Sequence, residues 1–313
     1  MNVHVTTGRW RLGLALSVVT ALLWGVLPIA LKALLEYMDV FTIIWYRFSV
    51  AAAFLFVFVI RKNGLPTAVK IRRPVMFLLA AAALGLCGNY ILYIVGLDHL
   101  SPSTATVVIQ LAPMFMLLGS LIVFRERFGT GQWVGFAVLV AGLMLFFNNR
   151  LDELVYRLTN YTTGVLLITA AAVSWAMYAL AQKQLLRSFS SESIMLFIYS
   201  MGVLVFLPFA RPAGVAGLDG TGLLLLVFCA FNTLIAYGSF AEALDHWEAS
   251  RVSMILATTP LITMAAMKLC TVMFPGFAGG EQLNYLSVAG GVLVVAGSIT
   301  SSLSGTGSRV HGE

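Results

Sequence analysis

The chain has 313 residues, 60% of them hydrophobic and only 10% charged, with a net charge of +6. Soluble domains carry about 25% charged residues, so this composition (mean hydropathy +0.93) excludes a soluble globule and puts much of the surface in lipid. The basic balance follows membrane topology, as shown below, and calls for no nucleic-acid partner.

A run of about 20 apolar residues is long enough to cross a bilayer. Ten such runs follow one another, at about 13–35, 40–60, 74–96, 103–124, 131–148, 163–182, 192–210, 222–243, 250–274 and 283–303. The first follows Arg9 and Arg11, as a signal peptide would, but its length and its Trp24, Pro28 and Lys32 mark it as a retained span. Lys and Arg number 13 in the two tails and the loops after even spans, against 4 in the loops after odd spans. Positive charge stays inside, which predicts both termini in the cytoplasm.

Taken in chain order, the spans carry few but placed polar groups. Span 1 has Trp24, Pro28 and Lys32 at i, i+4 and i+8, and span 2 carries Arg47. An intramembrane cation costs roughly 2.5–3.5 kcal/mol on insertion scales, so Arg47 needs a partner: Asp39, Glu36 or a substrate carboxylate. Span 3 offers Asn89, Tyr90 and Tyr93, with Asn89 and Tyr93 one turn apart on one face. Span 4 strings Ser103, Thr106, Gln110 and Pro113 along one stripe, and span 9 repeats the plan with Ser250, Ser253, Thr258, Thr259 and Pro260. Small residues in such stripes serve close helix packing as well as a transport path; Gln110 leans to the path, because an amide in hydrocarbon needs a partner. Pro28, Pro113 and Pro260 each remove a backbone donor, which predicts bends or gates. Span 6 sets Trp175, Tyr178 and Gln182 at i, i+3 and i+7, and span 8 has Asn232 and Tyr237. Trp24 and Trp175 fall about eleven to twelve residues into their spans, too deep for an interfacial aromatic belt. Lys32 and Lys183 read as ordinary helix-end lysines, and Lys268 as one that snorkels to the interface. Cys87, Cys229 and Cys270 sit in apolar spans without CxxC spacing and read as small packers, with no disulfide framework or metal site.

The chain also repeats itself. "LDHLSPSTATVVIQLAP" (Leu97 to Pro113) returns 147 residues later as "LDHWEASRVSMILATTP" (Leu244 to Pro260), and "WGVLPIALKALL" (Trp24 to Leu35) resembles "WAMYALAQKQLL" (Trp175 to Leu186). Glu126, Gly135 and Gly142 correspond to Glu281, Gly290 and Gly297 at equal spacing, the offset growing to 155 around "FPGFAGG". Matches in a fixed order indicate an internal duplication. Each half holds five spans, an odd number, so the second copy enters from the opposite side. The expected fold is an all-α polytopic membrane protein of ten transmembrane helices, built as two inverted five-helix repeats at 1–149 and 150–303, with a flexible tail at 304–313. Inverted repeats are one architecture of alternating-access carriers, with the substrate site between the halves.

These features resemble the drug/metabolite transporter superfamily, EamA type, over about residues 10 to 303. Within it the aromatic-rich spans look most like bacterial exporters of aromatic amino acids. The resemblance implies an inner-membrane exporter of amino acids and similar amphipathic metabolites, a monomer or weak homo-oligomer, with a small-molecule substrate and the bilayer as partners. Trp24, Asn89, Tyr90, Tyr93, Thr106, Gln110, Trp175, Tyr178 and Tyr237 are the expected substrate wall. No Asp or Glu falls at mid-depth in a span, which points to transport driven by the substrate's own gradient. No cofactor or metal is expected, and no HExxH or paired intramembrane acids support an enzyme. A nucleotide-sugar or phosphate-ester carrier would need several cations facing the cavity; that carrier and a drug efflux protein of the same superfamily are the alternatives.

Overall fold

Apolar runs of 16 to 27 residues, punctuated by Ser, Thr, Asp and Gly caps, become helices wherever the sequence places them. A computed structural model describes residues 7–63, 73–123, 129–186, 188–247, 249–273 and 283–304, and among these every regular element is helical. Thirteen α-helices follow in order: α1 Trp10–Leu34, α2 Val40–Asn63, α3 Arg73–His99, α4 Pro102–Val108, α5 Leu111–Val123, α6 Thr130–Phe146, α7 Leu151–Tyr156, α8 Asn160–Leu185, α9 Ser191–Phe206, α10 Gly220–His246, α11 Ala249–Ala257, α12 Thr259–Met273 and α13 Tyr285–Ser304. They make ten membrane crossings, because α4 with α5 and α11 with α12 are single spans broken in the middle, while α7 is a short exposed helix between crossings. Glu126, Glu281 and the "FPGFAGG" connection lie outside the described residues.

The helix starts follow capping chemistry. Ser101, Thr159, Ser190 and Asp219 each accept a hydrogen bond from a backbone N–H three residues on, a contribution of about 1 kcal/mol each. At α4 the cap is followed by Pro102 in the first turn, where its missing N–H and fixed φ cost nothing. This explains the "SPST" cluster of the repeated phrase.

Contacts at helix ends reveal an up-and-down alternation. The end of α1 meets the end of α3 through Lys32, the end of α6 meets the start of α13, and the end of α2 meets the start of α9 through Lys62 and Glu192, 3.0 Å apart. The most extensive pairings are α3 with α8, α6 with α13 and α1 with α10. Glycines make the first two possible. A side chain at Gly85 would run into the backbone of Ser174 and Tyr178 on α8. On α6 and α13 the glycines of the repeated motif face each other: a Cβ at Gly135 would lie 2.7 Å from the Gly297 carbonyl, and one at Gly142 would lie 2.9 Å from the Gly290 carbonyl. The backbones touch there, and close packing replaces the hydrophobic drive that lipid cannot supply. Asn148 and Asn284 exchange amide hydrogen bonds at one end of this seam, at 3.2 and 2.9 Å.

Large apolar side chains such as Phe77, Leu84, Ile122, Leu224 and Val272 stand exposed on the outside, as lipid-facing residues should. Cys87 and Cys229 are buried, Cys270 is half-buried, and all three are free thiols.

Candidate functional site

The two broken spans meet at their breaks. Proline removes an N–H and its ring clashes with the carbonyl four residues back, which is Ile109 for Pro113 and Leu256 for Pro260. The α4–α5 break falls at Ile109–Gln110 and the α11–α12 break at Thr258, each within the turn before its proline. Carbonyls loosened at the second break find local donors: Thr258 Oγ1 donates to Ile255 O at 2.6 Å and Thr259 Oγ1 to Leu256 O at 2.5 Å. The link between the breaks is Gln110, whose Nε2 donates to the Ala257 carbonyl at 2.9 Å. Ala257 is the residue 147 positions on, so the amide bonds its own counterpart in the duplicated phrase.

Pro28 behaves differently. α1 runs through it without a break, although its ring denies the Trp24 carbonyl a partner. The carbonyls on either side of Trp24 are taken by neighbouring helices: Asn232 Nδ2 on α10 donates to Leu23 O at 2.8 Å, and Thr263 Oγ1 on α12 donates to Gly25 O at 2.7 Å. Side chains thus hold α1 against both partners where its own ladder is weakest.

The aromatic residues gather on α1, α2, α3, α8, α9 and α10. Trp24 packs edge-on to Tyr237, with centroids 5.3 Å apart, and on Phe240 at 5.8 Å. Phe48 stands between Tyr90 at 4.7 Å and Tyr199 at 5.2 Å. Trp175 lies 6.4 Å from Tyr178, whose hydroxyl donates to Met195 Sδ at 3.2 Å. Tyr90, Tyr178, Tyr199 and Tyr237 lie near one another, and Arg47 lies near Tyr93.

Arg47 lies within this ring cluster. It is 4% exposed, its Nε donates to Thr233 Oγ1 at 3.2 Å, and its guanidinium carbon sits 4.7 Å from the Tyr90 ring centroid. Neither acid expected from the sequence reaches it. Asp39 instead caps α2, accepting from the Thr42 amide at 3.0 Å and from its hydroxyl at 2.6 Å, and no ion pair joins Glu36 to Arg47.

Three other expected wall residues bond to backbone. Asn89 Nδ2 donates to Ala171 O at 2.9 Å, tying α3 to α8, and Thr106 Oγ1 donates to Pro102 O and Ser103 O within its own helix. Gln110 has the crossing role described above. Lys32 is more than a helix-end lysine: it donates to the carbonyls of Leu97 and Asp98, and its Nζ stands 3.8 Å from Asp98 Oδ1, so it closes the end of α3. Lys268 is exposed. Thr233 and Tyr199 had no special spacing in the sequence; a tyrosine at the eighth residue of span 7 was the available signal. An apolar recess of about 220 Å³ between α5, α6 and α8, lined by residues such as Val108, Leu143 and Phe147, lies apart from these rings.

Comparison with known proteins places this geometry. The EamA-like transporter family matches twice, over residues 11–148 and 162–303. The Escherichia coli K12 protein "Uncharacterized inner membrane transporter YhbE" is 39% identical over 302 residues, covering 96% of this chain and 93% of that one. A Salmonella typhimurium protein named "Probable amino-acid metabolite efflux pump" is 23% identical over 90% of this chain and 92% of its own length. One solved crystal structure superposes with a TM-score of 0.62 at 19% identity, over 94% of this chain and 98% of that chain, and so shares the fold.

Proposed function

Because the chain belongs to the EamA-like transporter family, a multi-pass group of membrane transporters, we propose that it exports amino acids, aromatic ones favoured, and similar small amphipathic metabolites. The two halves, 1–149 and 150–303, act as inverted repeats that open alternately to each face of a bacterial inner membrane, with both termini in the cytoplasm. Transport is the activity, not catalysis, and it runs down the substrate's own gradient.

The observation that carries this reading is the convergence of rings and hydroxyls at Trp24, Tyr90, Tyr93, Trp175, Tyr178 and Tyr237 on four helices of both halves. Such a wall suits a molecule with an apolar or aromatic body and a small polar head. Asn89, Thr106 and Gln110 bring their polar groups to backbone carbonyls around it, and the breaks beside Pro113 and Pro260 supply the bendable elements. The name of the Salmonella typhimurium relative adds support for amino-acid metabolites. A nucleotide-sugar or phosphate-ester carrier fits less well, because Arg47 is the one cation among the described residues of this ring cluster.

Counterflow tests the proposal. Proteoliposomes preloaded with phenylalanine should accumulate labelled phenylalanine above a protein-free control, with no imposed proton or sodium gradient. Accumulation of labelled nucleotide sugar or phosphate ester instead, or a strict need for an ion gradient, would overturn it.

A further inference from the structure

The geometry points to Arg47 as the subsite for a substrate carboxylate, an inference that rests on the proposed export of amino acids and names the group they present there. Arg47 is 4% exposed and faces Thr233, which stands 13 residues from either end of α10 and so near mid-depth. Among the described residues no carboxylate lies within 4 Å of it and no hydrogen bond meets either Nη atom.

A buried guanidinium of this kind is costly. The Tyr90 ring covers one face of it, which offsets part of that cost, and Thr233 occupies one of its five N–H groups. The planar fork of the two Nη groups is left for an acceptor, and a carboxylate is the group whose geometry matches that fork in two parallel hydrogen bonds. Two polar atoms on neighbouring helices also lack hydrogen-bond partners: Tyr199 Oη, on the α9 helix against Phe48, and Asn232 Oδ1, on α10 one residue before Thr233.

The cation also stands outside the duplicated frame. At offsets of 147 to 151, the counterpart of Arg47 falls in Ile194–Ile198, an apolar stretch of α9. A residue needed only to build the bundle would have reason to recur in the second copy, as the motif glycines do. Arg47 occurs in one half, which gives the substrate's charged end a single orientation between the rings.

Two measurements test this. In detergent, benzoate should raise the Tm of the purified wild-type protein while benzamide, its uncharged isostere, does not, since a ligand that binds only the folded state stabilises it. In proteoliposomes, unlabelled phenylalanine should compete with labelled phenylalanine about tenfold better than phenylalaninamide does, the usual scale for a charge-assisted hydrogen-bonded pair. Arg47→Gln should abolish the benzoate shift and bring the acid-to-amide ratio near one. Arg47→Lys, which keeps the charge and loses the fork, should fold and give an intermediate ratio. Absent amino-acid flux with intact preference for benzoate would overturn the export reading and leave the subsite standing. Amino-acid flux with equal competition by acid and amide would do the reverse. A Lys variant with the wild-type ratio, or failure of both variants to fold, would make Arg47 a structural residue and overturn the inference.

Discussion

The α6–α13 seam and the cluster around Arg47 lie in one bundle and solve opposite problems. Along the seam, Gly135, Gly142, Gly290 and Gly297 bring two backbones into contact, and the sequence motif that does this appears once in each half. Around Arg47, side chains from α2, α3, α9 and α10 converge; Tyr90 has its counterpart 147 residues on in Tyr237, but Arg47 has none, and a buried cation and two buried polar atoms are left without full partners. The contrast teaches that duplication builds the frame and repeats several of the rings, whereas the buried charge is present in one half alone.

The largest effect should come from striking the frame. A side chain at Gly290 would meet the Phe146 amide nitrogen at 2.3 Å and the Gly142 carbonyl at 2.7 Å, and neither backbone can give way. Gly290→Leu should cost roughly 3 kcal/mol or more, the upper range for overpacking, and remove most of the folded protein from a size-exclusion profile. A normal profile would mean that the seam is not the rigid part. Next comes the wall. Trp24→Ala removes the ring that packs on Tyr237 and Phe240 and should lower phenylalanine counterflow about tenfold, with folded yield within about twofold of wild type. Loss of yield with normal flux per folded molecule would move Trp24 from the wall to the frame.

Smaller still is Gln110→Leu. It deletes the single amide bond between the two helix breaks, and interhelical hydrogen bonds in membranes average about 0.6 kcal/mol with a maximum near 1.7. A fall in Tm of a few degrees is expected, with flux altered more than stability if the breaks are the moving parts. The smallest effect lies outside the membrane. Thr159 and then Arg150 hydrogen-bond the Glu153 carboxyl and hold its pKa below the usual carboxylate range. A depressed pKa stabilises the fold above the unfolded value, and that contribution is lost as pH falls through the folded one. Glu153→Gln should therefore lower Tm slightly at neutral pH, converge with wild type in acid, and so flatten the fall of Tm between them. An unchanged slope would show that the α7 connection carries no acid-sensitive stability.

The same contrast decides what was legible in the sequence. Ten apolar runs and glycines at matched spacing disclosed the crossings and the frame, because length and period are one-dimensional properties. The helix breaks were foreseen as bends at Pro113 and Pro260, yet they fall earlier, at Ile109–Gln110 and Thr258, because a proline disrupts the hydrogen bond to the carbonyl four residues before it. Partners of polar groups were the unreadable part. Gln110 needed a partner, but nothing in its own span says that a backbone carbonyl at Ala257 will supply it. Arg47 was set against Asp39 and Glu36 by nearness in sequence, and it reaches Tyr90 and Thr233 instead because α2 packs against α3 and α10. Lys32, read as a helix-end lysine, closes the end of α3 for the same reason. Side chains in a bundle bond across helices, and spacing along one helix does not encode which helix lies opposite.

The central claim is that the ring-walled interior opens to each face in turn. A single cysteine at Tyr237, in a chain whose Cys87, Cys229 and Cys270 are replaced by serine or alanine, tests it with a membrane-impermeant thiol reagent. The account predicts labelling from either side of the membrane, with phenylalanine slowing both reactions. Labelling from one face alone, with or without phenylalanine, would contradict it.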